Sequence, residues 1–424
     1  MKVLWLCNSV PPMFADELNM PKMAVGGWIS GMLCRLSAME DITIVVCFPV
    51  LDLDNVKHGS VNGVYYYALP QKNADPTKCN PYMEVYFEKI LLDEKPDLIH
   101  IWGTEFPHTL SMVNVCDRLG LIDKAVINIQ GVCSVIANHY LSALPLNIVK
   151  RYTFRDLIRH DNILKQREKF KLRGEFEVSA IKKVKHVIGR TTWDFAVTKQ
   201  INPNINHHFC NEILRDEFYK HTWDLEKCEK HSIFMSQGSY PIKGVHFMLE
   251  AVPMILKFYP DTHLYVTGED ITKCESLKDK IRISSYGKYI KELISKYNIK
   301  DKVTFLGSLN ESEMCSRFLR SNVFVSAASI ENSPNSLCEA MILGVPCVAS
   351  NVGGVADLLE HKKEGLLYQY DAPYMLAHYV CEVFGESELA FNISKAAQDR
   401  AKKTNDPKIN SLRNKEIYLE ILNK

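Results

Sequence analysis

The sequence predicts an α/β protein of two doubly wound domains, each built around a mostly parallel sheet. Its 424 residues exceed one ordinary core, so two domains of about 200 residues each are expected. Short apolar runs alternate with helical patterns in two separate series, which is typical of βαβ units. A polar, irregular segment at residues 202–230 separates the two series and is interpreted as a hinge.

The strand candidates of both series are short apolar runs, most of them separated by enough residues for a helix. The first series comprises residues 3–7, 42–48, 64–69, 98–102, 125–129 and 186–189. The second series comprises residues 232–236, 263–267, 303–307, 323–326 and 345–349. Residues 390–424 have a helical pattern and end the chain.

Composition excludes several classes of protein. Lys and Arg total 51 against 50 Asp and Glu, so no global charge favours a nucleic-acid partner. The 13 cysteines form no C-x-x-C pair, which indicates reduced thiols in a cytoplasmic protein. No apolar run approaches the roughly 18 residues of a transmembrane helix. We therefore expect a cytoplasmic protein, peripheral on the inner face of the plasma membrane.

The stretch from Ser329 to Ala340 is the most informative part of the sequence. Glu331 and Glu339 lie at the two ends of a polar loop that follows an apolar strand and opens a helix. Loops of this kind lie beyond the carboxyl ends of strands, where α/β sheets bind ligands. The helix start suits a phosphate, and an ionised carboxylate accepts hydrogen bonds from hydroxyls. Phosphates between hydroxyl-rich groups describe a nucleotide sugar.

This stretch resembles the E-x7-E signature of family 4 glycosyltransferases. Residues 344–346 and 353–354 are similar to the G-x-P and G-G turns of that family, and residues 243–244 to its K-G element. Gly26 and Gly27 resemble the glycine pair of its first loop. The resemblance covers the C-terminal half well and the N-terminal half only at scattered points. It implies the GT-B fold, with two Rossmann-like domains facing a central cleft, and a retaining reaction.

The resemblance also implies a domain organisation. We predict an acceptor-binding domain at residues 1–205 and a nucleotide-sugar-binding domain at residues 206–400. Residues 401–424 are predicted to form a helix that crosses back to the N-terminal domain.

The resemblance implies roles for the residues of the signature. Glu331 is expected to hold hydroxyls of the donor sugar and to help position the reacting centre, and Glu339 to hold the ribose hydroxyls. Lys243 is expected to reach the donor diphosphate. Two backbone segments are also expected to contact the nucleotide-sugar donor. One presents the N–H groups of Asn335, Ser336 and Leu337, and the other is the loop of Gly26 and Gly27, which can approach the donor closely.

The sequence departs from the family pattern at two positions. Gly238 occupies the place of a family arginine that reaches the diphosphate. Arg190, which follows a predicted strand, is either its substitute or part of a structural salt bridge. Gln130 occupies the place of a histidine that contacts the donor sugar in many relatives, and it can form hydrogen bonds but cannot titrate.

Neither a metal nor a cofactor is predicted. Asp52 and Asp54 formally match the D-x-D motif of metal-dependent transferases, but two solvated loop aspartates are the favoured interpretation. No G-x-G-x-x-G follows the first strand, which counts against a dehydrogenase. The nucleotide sugar, UDP- or GDP-linked, is expected as a substrate.

A basic segment lies at residues 150–185, where twelve Lys or Arg stand against five Asp or Glu. Apolar residues are interleaved with the bases, from Tyr152 to Leu172. One interpretation is a surface that docks on anionic lipid headgroups. The other is the solvated face of an ordinary packed helix.

These observations predict a metal-independent, retaining glycosyltransferase of the hexosyltransferase type, acting on an acceptor hydroxyl. The expected acceptor is a lipid-linked glycan in the synthesis of bacterial surface polysaccharide. Two alternatives remain, a GT-B sugar-nucleotide epimerase that needs no acceptor, and a non-catalytic nucleotide-sugar-binding subunit, which the missing arginine at Gly238 favours.

Overall fold

The computed structural model describes residues 1–20, 27–73, 75–274 and 276–423, which form two compact units. The first unit comprises residues 1–137, 169–215 and 405–424, and the second comprises residues 138–168 and 216–404. Each unit is built on its own sheet.

The strands, numbered along the chain, divide between the two units. Those of the first unit are β1 (Lys2–Cys7), β2 (Thr43–Leu51), β3 (Lys57–Val61), β4 (Val64–Gln71), β5 (Leu98–Trp102), β6 (Ala125–Asn128), β7 (His186–Gly189) and β8 (Asn206–Phe209). Those of the second are β9 (Glu229–Met235), β10 (His263–Val266), β11 (Val303–Phe305), β12 (Ser321–Ser326), β13 (Cys347–Ser350) and β14 (Leu366–Tyr368).

The helices up to the middle of the chain are α1 (Gly27–Ser37), α2 (Tyr82–Glu94), α3 (His108–Arg118), α4 (Cys133–His139), α5 (Leu146–Val149), α6 (Phe154–Arg159), α7 (Ile163–Lys183) and α8 (Thr192–Ile201). Those that follow are α9 (Val245–Ile255), α10 (Leu277–Arg282), α11 (Ser285–Lys296), α12 (Glu311–Leu319), α13 (Asn335–Leu343), α14 (Val355–Leu358), α15 (Pro373–Gly385), α16 (Ser387–Thr404) and α17 (Pro407–Leu422).

The two sheets confirm the predicted fold class. The first has the order β3-β4-β2-β1-β5-β6-β7-β8, and only β3 runs antiparallel to its neighbour. The second has the order β11-β10-β9-β12-β13-β14 and is parallel throughout. Parallel strands that are covered on both faces consist of continuous apolar runs, and such runs located most of these strands in the sequence.

The core of the first unit lies on both faces of its sheet. One face packs Trp5 and Phe48 against α1 and α17. The other packs Leu4 and Ile99 against α2, α3 and α7. The sheet is therefore doubly wound, as the alternation of strands and helices predicts.

The last helix, α17, is joined to the first sheet by one tyrosine. The indole N–H of Trp5 donates to the Tyr418 hydroxyl at 3.1 Å, and that hydroxyl lies 2.6 Å from Nδ1 of His100. All three side chains are buried, and burial lowers the pKa of His100 to about 3. His100 is thus a neutral structural residue.

Three strands were not predicted. The strand β8 carries His207 and His208 and therefore shows no apolar run, yet both histidines have buried partners. His207 lies 2.9 Å from Asp194, and His208 lies 3.0 Å from His186. The short strands β3 and β14, each at a sheet edge, were missed as well.

The predicted domain boundaries differ from the units. Because β8 pairs with β7, the first unit continues beyond residue 205, as far as residue 215. Residues 138–168, predicted to lie in the N-terminal domain, belong to the second unit. The terminal part of the first unit starts at residue 405 and contains α17. In the described part of the chain, every helix is too short or too polar to cross a bilayer.

We expect Tyr418→Phe to destabilise the first unit, because it leaves the buried Trp5 N–H and a His100 ring nitrogen without their partner. Loss of a buried hydrogen-bond partner costs about 1–3 kcal/mol. Urea denaturation measures the change, and Tyr374→Phe, at a 62% exposed tyrosine, is the control. Equal stability of the two variants would contradict the assigned role of the Tyr418 hydroxyl.

Candidate functional site

The predicted site residues Lys243 and Glu331 form an ion pair in the second unit. Lys243 ends a 3-10 helix, Pro241–Lys243, which follows β9, and Glu331 lies in the loop between β12 and α13. The two side chains are only 25% and 16% exposed. Their strands are neighbours in the sheet, so the pair lies at the carboxyl edge where α/β sheets bind ligands.

Gly244 explains how the two loops come together. Its φ is +73°, and a Cβ atom there would lie 1.8 Å from the carbonyl oxygen of Ala327. A hydrogen bond from the Ser329 N–H to the Ile242 carbonyl, at 2.8 Å, joins the same loops. The glycine of the K-G element is therefore required both by backbone conformation and by the close approach of another backbone.

Gly353 has a corresponding role on the other side of Glu331. Its φ is +54°, and a Cβ atom would lie 1.8 Å from the Glu331 carbonyl oxygen. The next residue, Gly354, donates its N–H to that same oxygen at 3.0 Å. The G-G turn thus holds the backbone of Glu331 directly.

The start of α13 lies beside the ion pair. Asn335 and Ser336 occupy its first turn, where an α-helix has no earlier carbonyl of its own to accept from their N–H groups. The third predicted donor differs, because the Leu337 N–H already donates to the Pro334 carbonyl at 3.0 Å. Ser336 lines a cavity of about 40 Å³ together with Lys243 and Glu331.

Glu339 lies one turn further along α13 and is only 5% exposed. A carboxylate at such a position is costly unless it is paired or hydrogen-bonded. Two glutamates that stood at this spacing by chance would be solvated residues at the edge of a helix. Glu331 and Glu339 are instead largely buried.

The Gly238 position has no room for the family arginine. A Cβ atom there would lie 2.6 Å from Cγ1 of Val266 and 3.0 Å from Cγ2 of Val245. Any contact that Gly238 makes with a ligand would come from its backbone.

Arg190 and Gln130 lie in the first unit and share a partner. Arg190 forms an ion pair with Glu212 at 2.8 Å, and these side chains are 3% and 5% exposed. Gln130 donates to the other carboxylate oxygen of Glu212 at 2.6 Å. Arg190 thus takes part in a buried salt bridge, as one of its two predicted alternatives describes. Sequence reasoning missed Glu212, which lies in an irregular polar segment without a distinguishing pattern.

A larger cavity of about 450 Å³ lies in the first unit, between the segment after β4 and the start of α3. Aromatic and basic side chains contribute to its lining, among them Lys72, Lys78, Tyr82, Tyr86 and Phe106. His108, at its wall, lies 2.7 Å from the Asn8 amide oxygen, and burial lowers the pKa of this histidine to about 4. It is therefore neutral at physiological pH.

The remaining predictions concern the glycine pair, the two loop aspartates and the basic segment. Gly26 lies outside the described residues, and Gly27 begins α1. Asp52 and Asp54 are exposed, and within the described ranges no group of three or more His, Cys, Asp or Glu could hold a metal ion. The basic segment 150–185 is divided between the units, with residues up to 168 in the second and later ones in the first.

One family model matches the second unit. Residues 218–400 match the family model described as "Glycosyl transferases group 1", and they fall inside that unit. YtcC of Bacillus subtilis, provisionally named a glycosyltransferase, is 26% identical over 183 residues, covering 42% of each protein. The chain covers less than half of the length of each of three curated relatives that it matches. The second unit is therefore similar to the group 1 glycosyltransferase domain over most of its length.

Two solved structures share the fold over nearly the whole chain. Sucrose-phosphate synthase of Thermosynechococcus elongatus has a TM-score of 0.69 at 15% identity, with 99% of this chain and 98% of that chain covered. Anabaena HepE, solved with UDP and glucose, has a TM-score of 0.65 at 14% identity, with 99% and 100% covered. At these identities the likeness establishes the α/β fold of GT-B glycosyltransferases.

We expect Gly244→Ala to destabilise the protein more than Gly307→Ala. Both glycines have a φ of +73°, but no atom lies within 4 Å of the Cβ position at Gly307. Both variants carry the left-handed strain of about 1–2 kcal/mol. Only Gly244→Ala adds the clash with Ala327, and overpacking costs a further 1–3 kcal/mol or so. Thermal unfolding of both variants measures the difference, and equal melting temperatures would contradict the close approach.

Proposed function

We propose that this protein is a retaining, metal-independent glycosyltransferase that moves a sugar from a nucleotide-sugar donor to an acceptor hydroxyl. The observation that carries the proposal is the Lys243–Glu331 pair beside the start of α13. It combines a cation, a carboxylate and helix N-terminal amides in one place. A diphosphate with a sugar on one side needs this combination.

The ion pair prepares both side chains for the donor. The diphosphate would take up the positive charge of Lys243, and the sugar hydroxyls would donate to Glu331. The amides of Asn335 and Ser336 would add donors on the phosphate side. Negative charge grows on the leaving diphosphate as the glycosidic bond breaks, so a fixed cation stabilises the transition state more than the ground state.

The proposed reaction needs no strong base from the protein. In a retaining transfer on one face of the sugar, the leaving phosphate helps to take the acceptor proton. The chain then contributes positioning and electrostatic stabilisation. Gln130, which donates to Glu212, cannot titrate, so the proposal assigns it no proton transfer.

The acceptor is assigned to the 450 Å³ cavity of the first unit. Cavities of this size bind small ligands, and the aromatic rings of Tyr82, Tyr86 and Phe106 suit the apolar faces of sugar rings. Two lysines, Lys72 and Lys78, and two aspartates, Asp54 and Asp75, line the same cavity and offer polar groups to acceptor hydroxyls. We propose a lipid-linked glycan of bacterial surface polysaccharide as the acceptor, in the cytoplasm.

One observation favours a second candidate, a nucleotide-sugar-binding subunit without activity. The packing around Gly238 excludes the arginine that relatives place near the diphosphate, so one cation is missing. Such a subunit would bind the donor without turning it over. An epimerase of the same fold would instead convert the donor without any acceptor.

We expect a nucleotide diphosphate to raise the melting temperature in the presence of a chelator. A ligand that binds only the folded protein stabilises it by about 2.7 kcal/mol at a concentration of 100 times Kd. The screen uses UDP, GDP, ADP and their common sugar conjugates with EDTA. No shift with any of them at millimolar concentration would contradict the nucleotide-sugar site, and a shift seen only with Mg²⁺ would contradict metal independence.

With the donor identified, we expect Lys243→Met and Glu331→Gln each to lower kcat by about 100- to 1,000-fold, the usual effect of removing one pre-organised group. The matched control is the exposed ion pair of Lys363 and Glu360, changed to Lys363→Met and Glu360→Gln. Transfer to acceptor and donor hydrolysis are both measured. Unchanged turnover in both site variants would contradict the site assignment.

A further inference from the structure

The second unit has an exposed apolar surface on α5, α6 and the segment between them. We define this apolar surface by Leu146, Tyr152, Phe154, Leu157 and Ile158, together with Ile281 of α10, which packs beside α6. These six side chains are between 49% and 73% exposed. Contiguous exposed apolar patches on soluble proteins mark sites of interaction.

The helix α6 is held so that its polar residue faces inward and its apolar residues face outward. Asp156 is 0% exposed and accepts hydrogen bonds from the N–H groups of Ser285, at 2.9 Å, and of Thr153, at 3.2 Å. Leu157 and Ile158, which follow it directly, are exposed. This order is the reverse of an ordinary surface helix, and the buried hydrogen bonds keep it in place.

The exposed charges around the apolar surface are predominantly basic. Lys150, Arg159, Lys280 and Arg282 are exposed, and none of them forms an ion pair with a described residue. Three of the nearby acids are paired with arginines of the same unit. Arg155 pairs with Asp156 and Asp161, and Arg151 pairs with Glu292. The apolar surface is therefore rimmed by bases whose charge is not compensated locally.

From this geometry we infer that the second unit binds an anionic lipid surface through the apolar surface and its basic rim. Apolar side chains next to Lys and Arg are the composition that inserts at the boundary between headgroups and acyl chains. Each basic residue near an anionic membrane contributes about 1 kcal/mol. This inference does not depend on the proposed transfer reaction.

The segment that carries the apolar surface also contacts the loops of the candidate site. The hydroxyl groups of Ser142 and Ser329 lie 2.6 Å apart, and a ring nitrogen of His246 lies 3.0 Å from the Ser142 carbonyl oxygen. Ser329 lies two residues before Glu331, and His246 lies two residues after Gly244. Lipid binding on this segment would therefore anchor the region of the protein that holds the donor.

The test is co-sedimentation of the full chain with vesicles of phosphatidylcholine, with and without phosphatidylglycerol, at low and high salt. We expect binding only to the anionic vesicles, weakened by salt. The double variant Phe154→Ser/Ile158→Ser should bind at least about 30-fold less, because each substitution removes a large apolar side chain from the lipid contact. The control Phe258→Ser/Phe391→Ser removes two equally exposed phenylalanines of the same unit and should bind normally.

The charge rim is tested separately. Lys150→Gln/Arg159→Gln should lower binding to anionic vesicles about 30-fold, since two bases contribute about 2 kcal/mol. Lys402→Gln/Lys403→Gln, at exposed lysines of α16, is the control. A variant whose melting temperature lies within about two degrees of that of the unmodified chain is folded.

Two outcomes would overturn the inference. Absence of binding to anionic vesicles at low salt is the first. The second is a dimer in sedimentation velocity that the Phe154→Ser/Ile158→Ser variant abolishes, without vesicle binding, because the apolar surface would then be covered by a second copy. Nucleotide binding in the thermal-shift screen is unaffected by either outcome, so failure here is distinguishable from failure of the proposed function.

Discussion

Three loops of the second unit approach one another backbone against backbone, and the candidate site depends on this contact. The backbone of Gly244 lies against the carbonyl of Ala327, and that of Gly353 lies against the carbonyl of Glu331. Neither position has room for a Cβ atom. The chain bends sharply at both places with positive φ. As a result, Lys243 and Glu331 meet although 88 residues separate them in sequence. The glycines contribute no chemistry themselves, but they bring the charged residues together.

The two units use the same pairing of a base with a carboxylate for different purposes. In the first unit, Arg190 and Glu212 are almost fully enclosed, and Gln130 completes the carboxylate's coordination. Removal of one partner of such a pair would leave an uncompensated buried charge and destabilise the unit. In the second unit, Lys243 and Glu331 keep some exposure and line a cavity. Accessibility, rather than residue type, therefore separates the candidate site from the structural pair.

Residues 138–168 connect the candidate site with the exposed apolar surface. Though they come before the last strands of the first unit in sequence, these residues pack with the second unit. Their inner side is tied to the site loops through Ser142, and their outer side exposes the leucine, isoleucine and aromatic side chains of α5 and α6. Donor and lipid surface would thus act on one compact unit, which suits an enzyme whose acceptor is held at a membrane.

The sequence by itself determined the α/β class and two mostly parallel sheets, because buried strands impose a local apolar composition. Its resemblance to a family singled out Lys243, Glu331 and the glycine turns. Tertiary structure alone decided the rest. His207 and His208 lie in a strand because the backbone of β8 pairs with that of β7, and Arg190 forms its ion pair because Glu212 lies beside it. Gly238 excludes an arginine because Val245 and Val266 fill the space. Each of these outcomes depends on a contact between residues that local sequence pattern does not connect.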